Sequence, residues 1–242
     1  MSRCVLVTGA AKRIGAEIVR TLHAAGYRIV LHFRGAQSAA LDLREELNQQ
    51  RPESVEILQA DLRNFGQFPS LVERSISIFG RIDCLINNAS VFYPTRVDQV
   101  TESEWDEMFE CNLKAPFFLS LAFAPELNKR NGSVINLSDI HGLRPLKGYS
   151  IYSLSKAGLN AMTHSLAREL APSIRVNAVA PGAILWPENE MDEDDRAGIL
   201  SKIALARSGT PEDIGKTVLF LLESPYLTGQ IIAVDGGRGL YT

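Results

Sequence analysis

The sequence predicts a single doubly wound α/β domain built on a seven-stranded parallel sheet. Three observations carry that prediction. Short runs rich in Val, Ile and Leu recur with little polar alternation, as strands buried on both faces require. Between them lie segments of helical periodicity, in the alternating order that produces parallel pairing. Polar and small residues gather directly after several of the strands, on the edge where an open α/β sheet binds its ligands. Seven strands and six helices fill the 242 residues, and no linker, repeat or low-complexity stretch divides them, so residues 1–242 read as one domain.

Val5-Leu6-Val7 is the first strand, and the chain passes through Thr8-Gly9-Ala10-Ala11-Lys12-Arg13-Ile14-Gly15 into a helix ending near Gly26. Such a junction offers unpaired N–H groups and a positive dipole end to a phosphate, although an ordinary tight βα turn has the same shape. The second strand, Arg28 to Phe33, ends in His32-Phe33-Arg34 with no acidic residue. An acid there would bond the ribose hydroxyls of NAD, whereas His32 and Arg34 suit a 2′-phosphate. The expectation is NADPH, against the plainer reading of a solvated basic pair.

A helix from Ser38 to Gln50 leads to the strand Val55 to Gln59 and then to Ala60-Asp61-Leu62, where the carboxylate either accepts from an adenine amino group or caps the next helix. The helix Gln67 to Phe79 precedes a strand that delivers Asn87-Asn88-Ala89-Ser90. Thr101 and Glu104 form a capping box for one long helix containing Trp105, Phe109, Asn112, Phe117 and Phe118. Asn112 is either a buried structural amide or a group that positions water near Lys156.

The strand Ser133 to Leu137 delivers Ser138 and Asp139, and the following helix runs to about Ala171. Tyr152 and Lys156, four residues apart, share one face of it, so the ammonium is expected beside the phenol, lowering its pKa. Asp139, thirteen residues before Tyr152, is placed to face the phenol across a pocket. Together these three form a candidate proton-donating site. The strand Ile174 to Ala180 ends in Pro181-Gly182, whose backbone could approach a nicotinamide carboxamide. Pro187 to Asp195 is acidic and reads as a lid or a solvated helix start, within a substrate loop at about 183–208. Thr210-Pro211-Glu212-Asp213 starts a further helix, and Gln230 to Val234 is the last strand.

A formal charge of −3 and a pI near 5.9 leave no electrostatic footprint for nucleic acid or an anionic membrane. Cys4, Cys84 and Cys111 are isolated and lack metal-ligand spacing, which fits a reducing compartment and predicts no metal site. With no targeting segment and no apolar run approaching ~18 residues, the expectation is a cytoplasmic protein.

Taken together, the Thr8-to-Gly15 turn, Asn87-Asn88-Ala89, Asn112, Tyr152-x-x-x-Lys156, Pro181-Gly182 and Val234-Asp235-Gly236-Gly237 resemble the short-chain dehydrogenase/reductase family over essentially the whole chain, which implies a Rossmann-type domain. Arg13 replaces the usual glycine of the phosphate turn, and Asp139 replaces the usual catalytic serine. With Asn88 to Thr95 and Gly148-Tyr149-Ser150-Ile151-Tyr152, these departures resemble the pteridine reductases. That resemblance implies a catalytic set of Asp139, Tyr152, Lys156 and Asn112. It implies a cofactor site of Gly9, Arg13, Ile14, Gly15, His32, Phe33, Arg34, Asp61, Leu62, Asn88, Ala89, Ser90, Tyr152, Lys156, Pro181 and Gly182, taking NADPH. Arg13, Ser90, Phe92, Asp139, Tyr149 and Tyr152 would surround a pterin or folate, with Phe92 stacked on it, and the subunits would assemble as a homotetramer.

The segment between Thr95 and Asn112 is shorter than in the protozoan pteridine reductases, and the turn at Pro181-Gly182 lacks the threonine many family members carry. Two other functions stay open: a 3-oxoacyl-(acyl carrier protein) reductase or other carbonyl reductase, and a non-catalytic NADPH sensor. A carboxylate at Asp139 is a poor donor to a ketone oxygen, and the acidic 188–195 stretch would repel an acidic carrier protein. A sensor has no need of a proton-transfer set.

Overall fold

The computed structural model describes residues 2–185 and 193–241, without side-chain detail at 193–195. Seven strands form one parallel sheet: β1 Cys4–Val7, β2 Arg28–Phe33, β3 Val55–Gln59, β4 Cys84–Asn87, β5 Ser133–Leu137, β6 Arg175–Pro181 and β7 Ile231–Val234. Their order is β3-β2-β1-β4-β5-β6-β7. Each connection crosses over the sheet, and the direction of winding reverses between β1 and β4. Loops leaving those two strands diverge to opposite faces, which opens the crevice where ligands bind.

Alternation along each strand divides the core in two. Val5 and Val7 face one side with Ile18, Leu22, Leu43, Val218 and Leu221, beneath helices α1 (Arg13–Ala24), α2 (Gln37–Gln50) and α8 (Pro211–Glu223). Cys4 and Leu6 face the other with Leu71, Phe123, Leu127, Leu159 and Leu166, from α3 (Phe68–Phe79), α5 (Ala115–Arg130) and α6 (Ser150–Glu169). This two-sided burial is why β1, β4 and β5 are apolar apart from Ser133 and the amides that bond across the sheet.

The sequence predicts one helix after Thr101. In the structure it is α4 (Glu102–Phe109), a π turn at Glu110–Lys114, and α5. Pro116 explains the interruption: it has no N–H to close an α-helical bond on the Asn112 carbonyl, and the wider turn carries the helix past that gap. The capping boxes at Thr101/Glu104 and Thr210/Asp213 are both present. Helix α7 (Glu193–Leu200) is an addition to the six expected helices among the described residues. Most of the acidic stretch lies outside the described residues. No described helix is long and apolar enough to cross a membrane.

Buried amides tie the sheet to the helices around the site. Asn87 Nδ2 donates to Asn136 Oδ1 at 2.9 Å and to Ser120 Oγ at 3.2 Å, and Asn136 Nδ2 donates to Thr163 Oγ1 at 2.9 Å. This chain links β4, β5, α5 and α6, and Asn136 is fully buried. Asn136→Leu removes one of the two acceptors of the buried Asn87 amide, leaving Ser120 Oγ, and is expected to lower the unfolding free energy by about 1–3 kcal/mol. Urea denaturation with an unchanged m-value is the measurement that checks it.

Candidate active site

At the switch point, Thr8 and Asn88 lock the two diverging turns together. Thr8 Oγ1 accepts from Asn88 N at 2.9 Å and Ala89 N at 3.0 Å, and Asn88 Nδ2 donates to Thr8 O at 2.8 Å and Gly9 O at 2.9 Å. Gly9 has φ +59°, and a Cβ there would stand 2.8 Å from Ala89 Cα. Only glycine permits both the conformation and the approach. Helix α1 begins at the far side of this turn with no side-chain cap at Lys12, whereas α4 and α8 are closed by capping boxes. The positive end of the helix dipole points at this turn, where a negative charge is favoured. Arg13, at the position of the family glycine, has φ +54°. The backbone shape survives without the glycine at a cost of about 1–2 kcal/mol.

Burial limits which of the expected cofactor residues can present a side chain. His32 is 2 % exposed and is no surface cation. Burial pushes its pKa down to about 4, and both ring nitrogens are bonded, to Gly9 N and Ala60 O. Phe33 packs into the core and can offer a ligand only its backbone; Leu62 is likewise packed into the core. Arg34 is exposed at the strand end, as a phosphate ligand must be. Asp61 caps no helix: its carboxylate accepts from Arg63 Nη2 at 2.9 Å and Nε at 3.2 Å, and that guanidinium holds its pKa down at about 2. Pro181 is buried in β6. Gly182 owes its lack of a side chain to Asp235, whose Cβ is 2.6 Å from where one would begin.

Strand β5 and helix α6 bring Asp139, Tyr152 and Lys156 together. The Tyr152 hydroxyl donates to Asp139 Oδ2 at 2.8 Å, while Asp139 Oδ1 accepts from His141 N at 2.8 Å. Lys156 Nζ donates to Leu137 O at 2.8 Å and lies 5.7 Å from the centre of the Tyr152 ring. The expected lowering of the phenol pKa is thus absent. Burial first, then the Asp139 charge, raise Tyr152 well above its ordinary value. At neutral pH the phenol holds its proton. Burial pushes Lys156 the other way, down to about 8.

Asn112 is the structural amide of the two readings. Its Oδ1 accepts from Ser90 Oγ at 3.0 Å and Val91 N at 2.9 Å, and its Nδ2 donates to Val91 O at 3.0 Å and Ser155 Oγ at 3.1 Å. With those bonds made the side chain has no group left to hold water at Lys156. Instead it clamps the loop carrying Ser90 and Phe92 onto α6. Phe92 is 51 % exposed, stacks on Tyr149 with centroids 4.6 Å apart and planes at 11°, and meets Tyr152 edge-on at 4.7 Å. Thr95 N donates to Gly148 O at 2.7 Å and holds the two aromatic loops side by side.

Thr8 and Ser155 were not singled out by sequence reasoning. Thr8 stood at the strand end before Gly9, a visible signal; Ser155 had none, since a small hydroxyl in a helix is commonplace. Tyr93 is a further addition, its hydroxyl donating to Glu107 Oε2 at 3.0 Å and tying the Phe92 loop to α4.

Fold and site together define an oxidoreductase whose polar residues gather at the C-terminal edge of a parallel sheet. The family model described as enoyl-(acyl carrier protein) reductase matches residues 9–238. The 3-oxoacyl-(acyl-carrier-protein) reductase of Staphylococcus aureus is 36% identical over 242 residues, covering 98% of both chains. That of Thermotoga maritima is 36% identical over 237 residues, covering 96% of both. Pteridine reductase 1 of Leishmania tarentolae is 35% identical over 280 aligned positions, covering 97% of this chain and 96% of its own. The chain belongs to the short-chain dehydrogenase/reductase family.

The buried ammonium has a consequence for stability. Lys156 binds its proton more weakly folded, near 8, than unfolded, near 10.5, so the native state is penalised below pH 8 and relieved as pH rises from 8 to 10.5. Lys156→Met is expected to raise the unfolding free energy at pH 7 by about 1–3 kcal/mol, after the lost bond to Leu137 O. The advantage should shrink above pH 8 in urea denaturation, and activity should vanish.

Proposed function

We propose that this protein reduces a pterin, a dihydropterin or dihydrofolate to the tetrahydro form, with NADPH. The observation that carries the reading is the Tyr152 hydroxyl bonded to a carboxylate, Asp139, directly beneath the exposed Phe92. A ketone reductase needs a neutral donor at that position, whereas a flat heterocycle with ring nitrogens suits a carboxyl and an aromatic face.

The cofactor fits the residues present. The positive N-terminal end of α1 and Arg13 would hold its diphosphate, Arg34 its 2′-phosphate, and Lys156 its nicotinamide ribose. When bound, NADPH supplies the hydride. Tyr152, protonated at neutral pH, passes its hydroxyl proton to the ring nitrogen beside the reduced carbon, and Lys156 stabilises the phenolate that remains. Asp139 orients the hydroxyl and relays the replacement proton. Phe92 and Tyr149 in contact leave no room for a ring between them, since a sandwich needs two van der Waals separations, about 7 Å. Phe92, the more exposed of the pair, turns off Tyr149 to admit the substrate. Exposed apolar side chains on α4, α5 and α6, Trp105, Phe118, Leu121 and Leu154, support assembly as a homotetramer, which light scattering tests.

The identity to 3-oxoacyl-(acyl-carrier-protein) reductases favours a second reading, in which the substrate is a 3-oxoacyl thioester. NADPH oxidation with 7,8-dihydrobiopterin, dihydrofolate and an acetoacetyl thioester separates the two. The pterins are expected to turn over, and Asp139→Ser to cut their kcat/KM by about 100-fold. Reduction of the thioester alone, or a gain of thioester activity in Asp139→Ser, would replace this reading by the second. Arg34→Asp is expected to lower kcat/KM for NADPH by about 10–100-fold and to favour NADH, from loss of a charge-assisted phosphate contact. Steady-state kinetics with both cofactors reads that change.

A further inference from the structure

His32 is a buried imidazole that the chemistry above does not use, and its surroundings allow one arrangement. Its Nε2 lies 3.2 Å from Ala60 O, which can only accept, so Nε2 carries the hydrogen. Its Nδ1 lies 3.3 Å from Gly9 N, which can only donate, so Nδ1 is the acceptor. One neutral tautomer satisfies both. A protonated ring would turn Nδ1 into a second donor facing the Gly9 N–H, and burial keeps the ring neutral. The main chain repeats the connection, with Ala10 N donating to His32 O at 2.9 Å and Ala60 N to Phe33 O at 3.2 Å.

The two groups held by the ring belong to different parts of one elongated site. Gly9 opens the turn that faces the diphosphate, and Ala60 precedes Asp61 and Leu62 on the adenine side. The turn reaches β2 and the β4 turn but has no direct bond to β3 among the described residues. A flat ring bonded at both edges spans that distance without a rotatable link.

We propose that His32 is a positioning residue for the cofactor, setting the separation between the diphosphate turn and the adenine-side loop. This rests on the dinucleotide reading of the site and is independent of which substrate is reduced. The expected signature is selective: a ligand that spans both subsites loses affinity, and a fragment that uses one does not.

The test compares wild type with His32→Gln and His32→Leu in fluorescence titrations of NADPH and competition titrations of adenosine 2′-monophosphate, which lacks the diphosphate and the nicotinamide half. Gln keeps a donor for Ala60 O but cannot accept from Gly9; Leu removes both bonds. Each variant should weaken NADPH by about ten-fold, leave adenosine 2′-monophosphate within about two-fold, keep kcat at saturating NADPH, and speed hydrogen exchange at the Gly9 amide in the free protein. Unchanged NADPH affinity in both variants would overturn the proposal. So would equal losses for both ligands with a lowered melting temperature, which would make His32 a packing residue only. Wild-type protein that binds neither NADPH nor NADH would instead bring down the dinucleotide reading itself, whereas NADPH binding without pterin turnover would bear only on the substrate.

Discussion

The site hangs on the point where the winding of the sheet reverses. Parallel strands whose crossovers leave to opposite faces must open a gap between β1 and β4, and the loops on either side of it have no ladder to hold them. Thr8 and Asn88 close that gap with four hydrogen bonds. Without that lock the turn before α1 would not face the residues delivered by β5. The close seat of Gly9 on Ala89 follows from the same contact and explains why a side chain is excluded there.

From this frame the catalytic edge is built by polar groups that satisfy one another. Asn112 reaches across to Val91 and Ser155, Asn87 to Asn136, and Tyr152 to Asp139. Each buried amide or hydroxyl is costly alone and stabilising when paired, so the set is rigid as a group. Above this rigid set, Phe92 stacked on Tyr149 is the exposed part of the site. A fixed floor beneath an exposed aromatic is the geometry on which the proposed flat substrate would rest. The carboxylate at Asp139 gives that floor its character, adding to burial in raising the pKa of the neighbouring phenol.

Much of this was legible in the sequence. The seven strands, their parallel pairing, the two capping boxes and the placing of Asp139, Tyr152 and Asn88 on one edge follow from period, turn chemistry and chain order. Local rules suffice there because a strand buried on both faces must be apolar, and a Thr followed three residues later by an acid closes a helix start on itself. Arg34 at the strand end was likewise readable, since the apolar run stops at Phe33 and Gly35 follows.

What the sequence could not decide were the directions of side chains that depend on distant neighbours. His32 and Arg34 are two residues apart and both basic, yet the fold buries one between Gly9 and Ala60 and leaves the other in solvent. Lys156 stands one turn from Tyr152, but its ammonium bonds the Leu137 carbonyl and the phenol finds Asp139. Asn112 was an amide with two possible duties until the loop at Val91 claimed its side chain. Spacing along the chain determined which residues could meet; tertiary packing decided which did, because a buried polar group takes the partner the fold places within bonding distance.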